Sequence, residues 1–178
     1  MIKNWLKGTV ILFGFWLVLS GHFELKYVLV GFLASAVIAR VSVPLLYIKD
    51  RFDDLYCILD LPLLKFIGYW LWLFSEICKA SISVAKTVTK PKMDIQPQRI
   101  EFYCEYRNPV AITMLINSII LTPGTVTIDV RENSSLFVVH ALTDHAADGL
   151  LEGTMQRKIG NLFGEEVKID FVRREGCA

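Results

Sequence analysis

Charge is scarce in the first ninety residues, and motifs for chemistry are scarce in the rest. The 178 residues carry a net charge of only +1, and no basic stripe is interleaved with aromatics. Nothing in that balance points to nucleic acid. The four cysteines, Cys57, Cys78, Cys104 and Cys177, form no C-x-x-C pair and are not spaced for zinc. Cys104 and Cys177 lie in the polar half without an evident mate, which suits a reducing compartment for that half. There is no phosphate-binding glycine loop, no dinucleotide fingerprint and no nucleophile elbow. His140, Asp144 and His145 offer two imidazoles and a carboxylate but no third strong metal ligand. Asp129 and Glu132 flank a hairpin and read as solvated. Glu165 and Glu166 follow a predicted helix end and define no acid–base geometry. The expectation is a chain with no catalytic centre, no cofactor and no metal.

What is abundant is apolar surface. Hydrophobic residues make up 53% of the chain, more than a soluble domain uses, and they crowd before about residue 90. Two solvents explain that unevenness better than one core does. Lys3 and Lys7 precede an apolar run as in a signal peptide. The cleavage site is poor, however, and a second apolar run follows at once, so an uncleaved membrane segment is expected.

Three hydrophobic segments are expected in a membrane region spanning 1–90. The first, 5–20, is short for a span, with Trp5 and Trp16 as interface anchors. The second, 25–48, carries Gly31 and Ser35 four apart, a spacing that lets two helices approach closely. Arg40 interrupts it and marks its boundary with the headgroups. A charged connector follows, with Lys49, Asp50, Arg51, Asp53 and Asp54. Pro62 opens the third segment, 61–88, at a position where a missing N–H costs nothing. At 100° per residue Lys65, Glu76, Lys79 and Lys86 fall within an arc of about 80°, joined by Ser83 and Thr87. The helix is therefore amphipathic. Its stripe either faces water and headgroups or, at Lys65, Glu76 and Lys79, contacts a partner in the membrane. If the chain itself conducts ions, Glu76 and Lys79 are the groups to test.

Lys90-Pro91-Lys92 and Pro97 break the chain before a second domain, 95–178. Strands are expected at 100–106, 125–130 and 136–142, with a last one over VKIDFV. Helices are expected after Asn108-Pro109 and over 144–163, ending at Gly164. The order, strand, helix, strand, strand, helix, strand, is the βαββαβ order of a ferredoxin-like unit. The fold class is thus a membrane α-helical half followed by a small α+β domain. The most distinctive run, NSIILTPGTVTIDV, joins a very apolar helix to a hairpin. In it Pro123 fixes φ, Gly124 supplies a positive φ, and Thr122 and Thr125 can bond local backbone.

That run, with LFVVHAL after it, closely resembles the signature of the E-type subunits of the multisubunit Mrp-type cation/proton antiporters. The stretch YWLWLFSEICKASISVAKTVTKPK is similar to the family's third hydrophobic segment. The resemblance covers nearly the whole chain and rests on Asn117, Ser118, Leu121, Thr122, Pro123, Gly124 and Thr125, with His140 following in the return strand. It implies an accessory, structural subunit of an antiporter for Na⁺ or K⁺ and protons in the cell (inner) membrane. The implied partners are the other subunits and the bilayer, and monovalent cations and protons move at the level of the complex. It also implies a cytoplasmic C-terminal domain. That decides an orientation left tied by Lys3, Lys7, Lys49 and Arg51 on one side and Lys79, Lys86, Lys90, Lys92 and Arg99 on the other. An equivalent subunit of a membrane-bound hydrogenase-type complex with an Mrp-like module is the alternative. A membrane-tethered ligand-binding module is another. The charged connector and the FVRREGCA tail have no family role.

Overall fold

The computed structural model describes residues 2–49, 55–91, 95–131 and 135–176. The expected connector charges Asp50, Arg51, Asp53 and Asp54 lie outside these residues, as do Lys92, Glu132 and Cys177. The chain divides into two compact units, Met1–Leu61 and Pro62–Ala178. Each is described in turn.

In the first unit, α1 (Ile2–Ser20) and α2 (Leu25–Ser42) pack against each other. Gly21, at φ 61, ends α1 in the left-handed conformation that glycine adopts without strain. The face that α2 presents is a ladder of small residues, Gly31, Ser35 and Ala39, all buried. Gly31 sits against the indole of Trp16, and Gly8 against Ala39 and Val43, so the two helices run antiparallel. Phe13 meets Phe32 edge to face at 5.6 Å, and the Trp5 indole donates to the carbonyl of Ala36 at 3.0 Å. Ile2–Ser20 and Leu25–Leu46, of 19 and 22 residues, are long and apolar enough to cross a membrane.

The second helix stops earlier than its hydrophobicity suggests. Pro44 has no N–H to offer and disfavours helix in the residue before it, so α2 gives way to a 3₁₀ turn, Val43–Leu46. The connector is not irregular throughout. β1 (Tyr47–Lys49) and β2 (Leu55–Cys57) pair antiparallel, with Tyr47 opposite Cys57. The Asn4 amide donates to Tyr47 Oη and to Asp60 Oδ2, both at 3.2 Å. Lys7 Nζ donates to the Leu59 carbonyl at 2.8 Å and pairs with Asp60 at 3.3 Å. The base of α1 is thereby tied to the return of the connector.

The second unit holds α3 (Leu63–Thr89) and a helix-plus-sheet domain. The domain comprises β3 (Gln98–Cys104), α4 (Pro109–Leu121), β4 (Thr125–Arg131), β5 (Leu136–Ala141), α5 (Asp144–Leu151), α6 (Thr154–Phe163) and β6 (Ile169–Gly176). The sheet order is β4-β5-β3-β6, and every neighbouring pair is antiparallel. Alternation in β3 turns Gln98, Ile100, Phe102 and Cys104 inward. Phe102 stacks on its register partner Phe137 at 5.2 Å and also meets Phe171 at 6.0 Å. Leu115 and Ile119 of α4 and Ile159 of α6 complete the core. Asn108 caps α4 by accepting from Val110 N–H at 2.9 Å, with Pro109 at the first helical position.

The stretch 144–163 is two helices rather than one. Gly153, at φ 68, breaks the run and starts α6. Arg174 of β6 reaches across to Asp144 at 2.7 Å and Asp148 at 2.8 Å on α5, and to Gln98 of β3 at 2.5 Å. That fork holds α5 to the sheet.

Cys104 is fully buried, and burial pushes its thiol up from an ordinary 9.0 to about 12. Tyr106 beside it is raised as well, by burial first and then by the neighbouring thiolate charge. The folded state therefore keeps a proton that the unfolded chain releases above about pH 9. The stability this contributes is complete below that pH and is lost as pH rises toward 12. Cys104 alone is expected to cost the fold about 1 kcal/mol by pH 10. Urea unfolding of the full chain in detergent at pH 8 and pH 10 measures the loss, and Cys104→Ala should flatten it.

Candidate functional site

The corner between α4 and β4 is built from hydroxyl residues that all turn inward on the backbone. Ser118 donates to the Met114 carbonyl at 2.7 Å, and Thr122 to the Ser118 carbonyl at 2.8 Å. Thr125, buried, donates to the Ile119 carbonyl at 2.6 Å and also lies 2.9 Å from that of Thr122. Gly124, at φ 93, takes a conformation closed to most side chains, and its carbonyl accepts from Leu142 N–H at 2.8 Å. With their protons committed in this way, the hydroxyls are held as a joint between helix and sheet. None is paired with a base that would make it a nucleophile.

The polar stripe of α3 faces this joint. Tyr69, buried on α3, meets Ser118 Oγ at 2.7 Å. Since Ser118 donates onward to Met114, the phenol is the donor. Trp72 carries the Lys158 ammonium 5.0 Å above its ring, a cation–π contact between α3 and α6. A Cβ on Gly124 would touch Val84 of α3 at 3.5 Å and Ala146 of α5 at 3.6 Å, so the joint is packed between these two helices.

Between α3, the corner and the α5–α6 break lies a cleft of ≈ 260 Å³. Glu76, Lys79 and Ser83 line it from α3, and Thr122, Pro123 and Thr125 from the corner. His145, Asp148 and Glu152 lie along its far wall. The two sets of residues singled out by sequence, the α3 charges and the Asn117–Thr125 run, are in part brought together here. Lys79 pairs with Glu76 at 2.9 Å on its own helix, and Asp148 is held by Arg174. Among the described residues no three His, Cys, Asp or Glu converge as a metal site.

Other expected residues are elsewhere. Lys65 is exposed near the start of α3, and Leu121 is exposed at the end of α4. Asn117, exposed on α4, does not line the cleft. His140 stands on β5 between Arg99 and Val126 and does not line it either. Sequence reasoning passed over Tyr69 and Trp72. The signal was present, because at 100° per residue Tyr69 falls within about 40° of Lys65, on the same stripe. Tyr69→Phe is expected to cost about 0.5–1.5 kcal/mol, since Ser118 keeps its bond to Met114. Thermal unfolding of the full chain reads that loss.

Residues 9–161 match a family described as a Na⁺/H⁺ ion antiporter subunit. The E1 subunit of the Na⁺/H⁺ antiporter of Staphylococcus haemolyticus is 28% identical over 138 residues, 78% of this chain and 82% of that protein. The E subunit of the Na⁺/H⁺ antiporter of Alkalihalophilus pseudofirmus is 30% identical over 123 residues, 68% and 74% of the two chains. Among solved structures, a chain of the membrane-bound sulfane sulfur reductase, an archaeal respiratory membrane complex, is similar with a TM-score of 0.67 and 25% identity. The likeness covers 88% of this chain and 96% of that one. The family match takes in α1 from residue 9, all of α2 and α3, and the corner, and on it the chain belongs to the Na⁺/H⁺ antiporter subunit family.

Proposed function

We propose that this chain is an accessory, non-catalytic subunit of a multisubunit monovalent cation/proton antiporter complex in the cell membrane. In this reading α1 and α2 cross the bilayer, the helical region extends to about residue 90, and the α+β domain, 95–178, is cytoplasmic. The domain is of the ferredoxin-like type, a reading supported by the antiparallel order β4-β5-β3-β6. The observation that carries the accessory role is the chemistry of the two apolar helices. Neither α1 nor α2 contains an aspartate or glutamate. Carboxylates inside the membrane are the usual mark of a proton or cation path, and their lack in α1 and α2 supports leaving transport to the other subunits. The corner residues Asn117–Thr125, with His140 on the sheet, act as a structural joint. Lys65, Glu76 and Lys79 are contacts to protein or headgroups.

Affinity purification in mild detergent tests the proposal. Several small hydrophobic subunits should co-purify, and deletion of the gene should abolish tolerance to Na⁺ or alkali. A lone monomer would overturn the reading. The fold likeness to a chain of an archaeal respiratory membrane complex favours a second reading, an equivalent subunit in a hydrogenase-type complex with an Mrp-like module. Co-purifying redox subunits would identify that setting.

A further inference from the structure

The side of α3 that points away from the domain has an unusual composition. Leu64, Ile67, Leu71, Phe74 and Ile82 are all exposed there. At 100° per residue they lie within about 80° of one another, on the side opposite the buried Tyr69 and Leu73. No charge interrupts this face over 27 residues, about 40 Å of helix. Three hydroxyls fall within or beside it, Ser75, Ser81 and Thr89, and two of them are satisfied within the helix. Ser81 donates to the Ile77 carbonyl at 2.7 Å and Thr89 to the Ala85 carbonyl at 2.6 Å. Hydroxyls bonded within their own helix in this way can enter hydrocarbon without leaving an unpaired donor.

The opposite side of the same helix is covered along most of its length by a polar domain. Tyr69 bonds Ser118, Trp72 holds Lys158, and Val84 packs by Gly124. A helix that crossed the bilayer at these positions would carry Lys158, His145 and Glu152 into hydrocarbon. Charges there are expensive, at about 2.5–3.5 kcal/mol each on insertion scales. One apolar face and one domain-covered face are compatible with the membrane only if the helix lies flat.

We infer that α3 is not a third span but lies in the plane of the membrane surface. Its Leu64–Ile82 face is sunk among lipid chains, and the α+β domain rides on its other side. The inference rests on the proposed membrane subunit and assigns that subunit its lipid-contacting surface. Exposed Lys79 and Lys86 run along one flank, where their stems cover apolar surface and their ammonium groups reach anionic headgroups. The arrangement also breaks the tie in orientation. With two spans, Lys3, Lys7, Arg40 and Lys49 share one side of the bilayer with the domain. Only Lys26, neutralised by Glu24 at 2.8 Å, is left on the other side. That is the distribution the positive-inside rule demands when the domain is cytoplasmic.

Nitroxide labels test the inference, and the helix already carries one attachment point. Cys78 is exposed on α3, while Cys57 and Cys104 are buried. The full chain with Cys177→Ser, together with the membrane partners that co-purify with it, is reconstituted into phosphatidylcholine–phosphatidylglycerol vesicles. It is labelled at native Cys78. In further variants carrying Cys78→Ser it is labelled at Leu64→Cys or Ile82→Cys. The expected result is high collision with oxygen and low collision with a water-soluble nickel chelate at all three sites. All should lie at one shallow depth, about 5–10 Å below the headgroups. A depth that changes by about 27 Å between positions 64 and 82 would mean a third span. Exclusion of both agents would mean that protein, not lipid, covers the face. Either outcome overturns the flat helix while leaving the membrane subunit standing. Free access of nickel at all three sites would overturn the inference by leaving the face in water. The labelled native thiol makes one reading independent of any substitution in α3.

Discussion

Gly31→Leu is expected to separate α1 from α2 and to deplete the protein from the membrane several-fold. A Cβ at position 31 would collide with Cδ1, Nε1 and Cε2 of the Trp16 indole, a rigid ring that cannot fold away as a flexible chain end would. Overpacking of this kind costs about 1–3 kcal/mol. In lipid no hydrophobic effect draws the helices back together, because their association rests on close packing and on hydrogen bonds such as that from Trp5 to Ala36. A loss of this size changes cellular abundance several-fold. Quantitative immunoblotting of membranes measures it. Gly14 provides the control. A Cβ there meets nothing within 4 Å, so Gly14→Leu should leave abundance unchanged. Adding Trp16→Ala to Gly31→Leu should restore part of the loss. Equal loss in both single variants would show that the ladder of small residues has no special part in pairing.

Phe102→Ala should be the most damaging substitution in the α+β domain. The ring is fully buried on the second strand from one sheet edge, stacked on Phe137 and touching Phe171. Its removal leaves a cavity and costs about 3–5 kcal/mol. A domain of this size has only about 4–12 kcal/mol in total. The variant domain should therefore sample its unfolded state often enough to be cut. Trypsin applied to open membranes should degrade the domain of Phe102→Ala and spare α1 and α2. Phe171→Ala, at a ring 44% exposed, should be far milder. Resistance of Phe102→Ala equal to the parent's would contradict the placement of the core.

The two experiments address parts of the chain that differed in how plainly the sequence announced them. The close approach at Gly31 and Ser35 could be read because small residues four apart in an apolar run have few other uses. Helix starts at Asn108-Pro109 and strand alternation at Ile100, Phe102 and Cys104 were equally direct, since caps and period-two patterns act locally. Gly153 was not. A glycine inside a helical pattern is usually tolerated, and only the conformation it takes here, with α6 restarting behind it, splits the run. The short pairing of Tyr47–Lys49 with Leu55–Cys57 was hidden because three-residue strands carry no periodicity worth the name.

The cleft was only half visible. The sequence placed Glu76 and Lys79 on one stripe, and separately set Thr122–Thr125 apart as a corner. Nothing local says that one faces the other. That knowledge comes from Tyr69 bonding Ser118 and from the packing of Val84 beside Gly124. The expectation of a third hydrophobic segment came from composition, from the start at Pro62 and from the resemblance. Composition counts the apolar residues of α3 but does not see that half of its circumference is already taken by the chain's own domain.

The position of β3 in the sheet also sets a timetable for biogenesis. Arg99 pairs with Glu175, so the first strand of the domain waits for the last. At about 5–20 residues per second, those 76 positions take a ribosome roughly 4–15 s to deliver. By then the two leading apolar helices have long since left the tunnel and can enter the membrane. The domain therefore closes late, on a chain already anchored, and until then the β6-facing edge of β3 stands open to other strands. Crowded translation of neighbouring membrane subunits would make that interval the time when this chain is most exposed to mispairing and proteolysis.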